Sequence, residues 1–287
     1  MKDIRNLDLH MHSSVSDGTD TPEELLEKVK AAGLELFALT DHDEVKGYAR
    51  IAAARRAGDP RVLSGAEFSC RDRQGKYHIL GYGFDPNSEG IRRVLEEGHQ
   101  LRLSKLQQRL DFLKETWGFS FTEEELETLK AMDSPGKPHI GNLMVRHGYA
   151  ATREEAIKEY IDKLHLPAAY VLPETAIRGI LEGGGIPVLA HPAFGSGNEL
   201  ILGEDMDQRL RRLMDFGLRG VEAFYSGFSR KLREEILSFA EKYGLLVTAG
   251  SDYHGKNKLV EIRDTGLTRE ETVPGGMIRF LEETGIL

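Results

Sequence analysis

Short apolar runs at 7–11, 36–40, 62–68, 77–83, 187–190, 220–224 and 246–250 alternate along the chain with amphipathic segments. Runs of this length bounded by turn residues predict strands, and the segments between them predict helices. The helix at 22–32 is signalled by a capping box, Thr21 with Glu24, by Pro22 at its first position and by Gly33 as its stop. Segments 44–57, 173–181, 207–216 and 230–243 carry the helical period. Strand–helix alternation calls for an α/β protein with a mostly parallel sheet or barrel. Seven such runs predict a distorted (β/α)7 barrel, one strand short of the usual form. From 90 to 169 the strand signals stop. That stretch holds a long helical segment at 91–115 and capping boxes at Thr122/Glu125 and Thr152/Glu155. The expected organisation is therefore a barrel domain from 1–95 and 170–287, with a small helical domain, 96–169, inserted as a substrate cap.

Composition narrows the function classes. Apolar residues make up 40% of the 287, enough for a substantial core. No run approaches the roughly 18 apolar residues of a membrane span, and the first residues lack the apolar stretch of a signal peptide. Cys70 is the one cysteine, so no internal disulfide forms, which suits a reducing, cytoplasmic setting. The formal charge of −9 argues against long duplex DNA as a partner. It leaves a small phosphorylated substrate open, because bound divalent cations would offset much of the carboxylate excess.

The chemistry sits where the apolar runs end. In Asp8-Leu9-His10-Met11-His12, alternation places His10 and His12 on one face, two residues apart, able to chelate one ion. By itself this pattern fits polar residues on a half-buried strand equally well. The arrangement then recurs: 36–40 runs into Asp41-His42-Asp43, 62–66 into Glu67, 188–190 into His191, and 246–250 into Ser251-Asp252-Tyr253-His254, while His78 opens 77–83. Histidines placed for packing alone have no reason to gather at strand ends, which is where barrel enzymes keep their sites. Asp17-Gly18 reads as an ordinary turn, but one that follows the first ligand strand and so brings Asp17 over the same site. His139 follows Lys137-Pro138 at a helix start. It suits a phosphate contact, shared with Lys137 and Arg102, or simple capping.

With these residues assembled, the chain resembles the PHP (polymerase and histidinol phosphatase) family of phosphoesterases. The stretches that carry the resemblance are 8–13 with Asp17-Gly18, Leu39-Thr40-Asp41-His42-Asp43, Leu189-Ala190-His191-Pro192 and Gly250-Ser251-Asp252-Tyr253-His254-Gly255, with Gly65-Ala66-Glu67 and 78–82 between them. The segment 136–149 with Tyr170-Val171 is similar to the inserted helices of a subgroup acting on nucleoside 3′,5′-bisphosphates and short RNA 5′ ends; Lys137 stands where that subgroup often has Arg. The resemblance implies a PHP-type barrel and a trinuclear centre. His10, His12, Glu67 and Asp252 would take one ion, Glu67, His78 and His191 a second, and Asp17, His42 and His254 a third. Two to three divalent ions are expected, Mn²⁺ ahead of Zn²⁺ or Fe²⁺. His10, His12, Glu67, His191 and Asp252 form the catalytic set, and Lys137, His139 and Arg102 the substrate contacts. The implied reaction is hydrolysis of a nucleoside 3′,5′-bisphosphate. The alternatives are a cyclic phosphodiester, 5′–3′ trimming of short RNA, or histidinol-phosphatase-like activity.

Overall fold

The structure, a computed structural model, describes residues 3–132, 135–166, 170–195 and 199–287. Strands β1 (Leu7–Asp8), β2 (Leu36–Ala38) and β3 (Arg61–Leu63) form a parallel three-stranded sheet. Its crossovers are helices α1 (Pro22–Ala31) and α2 (Lys46–Ala54). Helix α1 starts as its sequence dictates: Thr21 accepts the Glu24 N–H while the Glu24 carboxylate accepts the Thr21 N–H. A second sheet runs β4 (Gly65–Asp72), β5 (Gly75–Tyr82), β6 (Ile186–Leu189), β7 (Gly220–Tyr225) and β8 (Leu246–Gly250), in that order.

One expectation needs correction: the run 62–68 is two strands, broken at Ser64, whose hydroxyl donates to the Phe84 carbonyl at 2.6 Å. The strand pairs are mostly parallel, as expected, with β5 the exception: it pairs antiparallel with both β4 and β6. The reason is the connection: only Arg73 and Gln74 separate β4 from β5, and so short a link can join only antiparallel neighbours. The Asp72 carboxylate accepts the Gln74 N–H, fixing the turn. The two sheets meet through single bridges, Met11 to Tyr253 and His42 to Glu67.

The remaining helices are α3 (Glu89–Trp117), α4 (Glu123–Lys130), α5 (Lys137–Arg146), α6 (Arg153–Glu155), α7 (Pro173–Glu182), α8 (Gly203–Asp215), α9 (Arg230–Tyr243) and α10 (Gly275–Glu283). One core holds Leu7, Leu36, Phe68, Ile79, Val188 and Val247, covered by Ile177 and Phe280. A separate apolar cluster lies within 103–161, where Leu106, Leu113, Ile140 and Leu143 pack with Trp117, Phe119 and Tyr149. Helix α3 belongs to both: Ile91 and Val94 join the first core, Leu106 to Leu113 the second. The expected domain boundary at 169 lies outside the described residues. Among the described residues, no helix is long and apolar enough to cross a membrane.

Candidate active site

The first strand's ladder is short, but its alternation continues past it. Leu9 N–H donates to the Ala249 carbonyl, Asp252 N–H to that of His10, and His12 N–H to that of Tyr253. This extended pairing puts His10 and His12 on the same side, both fully buried. Gly250 is required for the approach, since a β-carbon there would lie against His10 Cβ and 2.5 Å from Glu222 Oε1. His42 follows β2, Glu67 lies in β4, and His191, Asp252 and His254 follow β6 and β8. His78 lies early in β5 yet reaches the same end of the sheet, because β5 is antiparallel to its neighbours.

Glu67 is the hub of this cluster. Its Oε2 lies 3.3 Å from His10 Nε2, 3.2 Å from His12 Nε2 and 3.1 Å from His42 Nδ1. Its Oε1 lies 2.8 Å from His78 Nδ1 and 3.2 Å from His191 Nε2. Asp252 Oδ1 stands 3.5 Å from His10 Nε2, 3.4 Å from His12 Nε2 and 3.3 Å from His254 Nδ1. Asp17 Oδ1 is 3.2 Å from His254 Nε2, and its Oδ2 is 4.0 Å from His42 Nε2. All nine expected ligand side chains therefore lie in one contiguous cluster.

Local backbone strain supports the arrangement. Asp43, His191 and Asp252 adopt positive φ, at 51°, 28° and 59°. Such conformations persist only where surrounding contacts impose them. Asp41 accepts the Ser13 N–H and the Ser13 and Ser16 hydroxyls at 2.7–2.8 Å, shaping the loop that delivers Asp17. Asp8 accepts the Ser251 and Arg263 N–H groups, tying β1 to the segment that carries Asp252. Buried Glu222 accepts from His10 Nδ1 and from the His191 N–H, each at 2.8 Å.

Electrostatics prepare this cluster for cations. Burial pushes the carboxyls of Glu67, Asp17 and Asp252 up, yet the imidazoles around them, with Lys258 at Asp252, hold all three well below the ordinary carboxylate range. Burial lowers His78 to about 4 against the pull of Glu67, and likewise lowers His42 and His254. Ionised carboxylates beside neutral imidazoles are the state that metal ligation demands. Against burial, the carboxylates raise His12 to about 9 and His10 well above its usual value, so at these two rings a cation, whether a proton or a metal ion, is favoured.

The donor set fits a metal centre on a further observation. Among the described residues His10 Nε2, His12 Nε2 and His42 Nδ1 are buried without a hydrogen-bond partner, and all three lie 3.1–3.3 Å from Glu67 Oε2. A buried polar atom left alone costs about 1–3 kcal/mol. Atoms bound about 2.0–2.2 Å from a shared ion stand roughly 3.0–3.5 Å apart, the spacing found here. Metal-compatible groups are His10, His12 and Glu67; His42, Glu67 and His78; and His12, Asp17, His42 and His254. His12, His42 and Glu67 each belong to two groups.

Beside the cluster opens a cavity of about 220 Å³ whose wall includes Asp17, His42 and His78 from the centre and Lys76, Arg102, Lys105 and Arg109 opposite. Arg102, Lys105 and Arg109 are spaced to lie on one face of α3. Lys76 lies two residues before His78 on β5, and so on the same face. Arg102 is held by Asp43 at 2.6 Å and donates to Ser69 Oγ at 3.0 Å. Lys105 is only 7% exposed, with Nζ 3.5 Å from the Tyr170 ring centroid. No ion pair engages Lys76, Lys105 or Arg109 among the described residues. Burial lowers Lys76 and Arg109, and takes Lys105 down to about 7.

A PHP domain model matches residues 8–169. The chain belongs to the PHP family. It is a hydrolase of phosphoric esters, and the cluster described above is the PHP centre's candidate metal site. A phosphoribosyl 1,2-cyclic phosphate 1,2-diphosphodiesterase from Eggerthella lenta is 31% identical, over 87% of this chain and 94% of that one. A 3′,5′-nucleoside bisphosphate phosphatase from Chromobacterium violaceum is 28% identical, over 93% of both. Among solved structures, an amidohydrolase from Chromobacterium violaceum with bound sulfate is 28% identical, with a TM-score of 0.79 over 97% of this chain and 96% of that one.

The substrate contacts expected from sequence in this PHP chain have mixed surroundings. Arg102, Lys137 and His139 all line the basic cavity. Lys137, however, is ion-paired with Asp162, and His139 Nδ1 accepts the Gly136 N–H, so capping operates there as well. Sequence reasoning missed Lys76, Lys105, Arg109, Tyr225 and Glu222. The Tyr225 hydroxyl donates to Asp252 Oδ2 at 2.9 Å. Glu222 left a signal: a carboxylate in the middle of the apolar run Gly-Val-Glu-Ala-Phe-Tyr has to be paired. Lys105 and Arg109 left none, because on a charged helix they look like solvated residues.

Proposed function

We propose that this PHP enzyme hydrolyses one phosphate ester of a small nucleotide that carries a second phosphate, with a nucleoside 3′,5′-bisphosphate as the leading substrate. The observation that carries this reading is a largely buried set of cations with no ion-pair partner among the described residues, Lys76, Lys105 and Arg109, beside the imidazole–carboxylate cluster. Burying unpaired cations is costly, so an anion belongs in that cavity. The sulfate held by the similar Chromobacterium violaceum protein is a phosphate-like anion, in keeping with this.

Two to three divalent ions, Mn²⁺ first among them, would be held by His10, His12, Glu67 and Asp252, by Glu67, His78 and His191, and by Asp17, His42 and His254. Bound cations of this kind lower the pKa of water from about 15.7 towards 7 and neutralise phosphoryl oxygens. Glu67, reaching five imidazoles, keeps the histidine nitrogens converged. Asp252, restrained by Tyr225 and Lys258, fixes the outer side of the pair His10 and His12. Lys105, Lys76 and Arg109 would receive the phosphate that is not cleaved and so orient the scissile one, with Arg102, His139 and Lys137 at the cavity rim. Residues 96–169 would act as the substrate cap, 1–95 and 170–287 as a distorted PHP barrel closed through the bridges between the sheets, and the enzyme as a cytoplasmic one.

A second reading is favoured by the 31% identity to the Eggerthella lenta diphosphodiesterase: a cyclic phosphodiester that also bears a phosphate monoester. The test is turnover, read by chromatography of the products, of adenosine 3′,5′-bisphosphate, of a phosphoribosyl 1,2-cyclic phosphate and of 5′-phosphorylated short RNA, each with added Mn²⁺ and each beside its analogue without the second phosphate. Preference for the bisphosphate supports the first reading. Equal rates on substrates with and without the second phosphate would sink both.

A further inference from the structure

We infer that Glu222 is a positioning residue for the metal centre: it fixes which nitrogen His10 offers to an ion, and it locks the backbone from which His191 projects. The inference rests on the metal reading above and extends it to a residue outside the ligand set. Glu222 lies in mid-strand β7, fully buried, where an unpartnered carboxylate would be expensive. Each of its oxygens has a separate task. Oε1 stands 2.8 Å from His10 Nδ1, and Oε2 accepts the His191 backbone N–H at 2.8 Å.

The consequence for His10 follows from the two-nitrogen chemistry of imidazole. A carboxylate can only accept, so Nδ1 keeps its proton, and Nε2 is the nitrogen that can give up its own and offer a lone pair to an ion. That is the nitrogen buried without a hydrogen-bond partner among the described residues, beside Glu67 and Asp252. At His191 the same carboxylate acts on the main chain. The residue sits at φ 28°, a conformation a non-glycine residue avoids, and the N–H bond to Oε2 is a contact that holds it there while its Nε2 reaches Glu67 Oε1. One side chain thus couples ligands from β1 and β6, on two sides of Glu67. The tight fit at Gly250, where any β-carbon would lie 2.5 Å from Glu222 Oε1, shows how little room exists for another arrangement.

The isosteric variant Glu222→Gln tests the idea, because an amide offers one acceptor where the carboxylate offers two. Either His10 Nδ1 or the His191 N–H must then face an NH₂ group. The expected result is a loss of about 10–100-fold in Mn²⁺ affinity, the range seen when carboxylates behind metal-bound histidines are removed. It is measured by chelator competition and by metal content per chain. The melting temperature of the metal-free variant should stay near that of the metal-free parent. Unchanged Mn²⁺ affinity would overturn the inference, and so would an equal loss of stability in the metal-free and metal-loaded forms, the mark of a merely structural role. A measurement on the unaltered protein covers the case in which the variant fails to fold. In the Zn²⁺-loaded enzyme, ¹⁵N spectra should show His10 protonated at Nδ1 and coordinated through Nε2; coordination through Nδ1 would refute the assignment. A parent that takes up no Mn²⁺ or Zn²⁺ at all would instead bring down the metal reading itself, an outcome distinct from a metal-binding parent whose variant binds equally well.

Discussion

The imidazole–carboxylate cluster and the basic cavity share Asp17, His42 and His78 as wall residues, yet they are held together in opposite ways. In the cluster every carboxylate faces imidazoles, and Glu67 alone approaches five of them. In the cavity Lys76, Lys105 and Arg109 line one wall, Lys105 against the Tyr170 ring, with no carboxylate ion-paired to them among the described residues. Converged carboxylates and imidazoles on one side invite metal cations, and surplus positive charge on the other invites an anion. A chain with a net charge of −9 has nevertheless concentrated cations in one small volume. That asymmetry, more than either half alone, suits a substrate with one phosphate at the metals and another beyond them.

The largest effect should come from breaking the cluster at its hub. Glu67→Ala should lower turnover by more than about a thousandfold, since every developing charge would lose its cation support. Far-UV circular dichroism should remain that of the parent, and metal content should fall. Removal of metal by chelation should have the same effect on the parent, with recovery on adding Mn²⁺; activity surviving exhaustive chelation would contradict the division of labour drawn here.

Weakening the cavity should give a smaller and substrate-dependent loss. Lys105→Met or Lys76→Met should cost about 10–100-fold in kcat/KM on a nucleoside bisphosphate, one charge-assisted hydrogen bond being worth about 1.5–3 kcal/mol. A substrate without the second phosphate should change by no more than about twofold. Equal losses on both would move these lysines from substrate recognition to general structure.

Lys105 also predicts a pH signature. Burial, aided by Arg102 and Arg109, takes its pKa from 10.5 down to about 7, against the opposing pull of Asp43. Above about pH 7 the amine is increasingly neutral, so KM for the bisphosphate should rise from pH 7 to 9 in the parent and stay flat in Lys105→Met. For stability the sign is the reverse. Between about 7 and 10.5 the unfolded chain binds a proton that the folded chain does not, so this group's contribution grows more favourable as pH rises through that window. Thermal melts should therefore show Lys105→Met stabilised most below pH 7, with the gap closing towards pH 10.5. The smallest effect belongs to Lys137, already ion-paired with Asp162 at a half-exposed site. Lys137→Ala should alter bisphosphate KM by less than about threefold, as exposed pairs are worth little. A tenfold change would mean that the pair opens to take substrate.

By itself the sequence determined which side chains would converge, because residue types suited to metal ligation serve few other roles together and strand geometry fixes their spacing. His10 and His12 at i and i+2, His42, His191 and Asp252 just past apolar runs, and Asp17 in the following turn were all legible as one set. Only the tertiary structure decided the rest. The hairpin at Arg73-Gln74 reversed β5 and so carried His78 to the ligand end, a matter of connection length that apolar patterning does not register. Lys76, Lys105 and Arg109 come from a strand and a helix far apart in the chain, and charged residues on a helix look alike until packing shows which are turned inward. Glu222 belongs with them: its own run marked it as unusual, but which two ligands it holds depended on how three strands lie side by side.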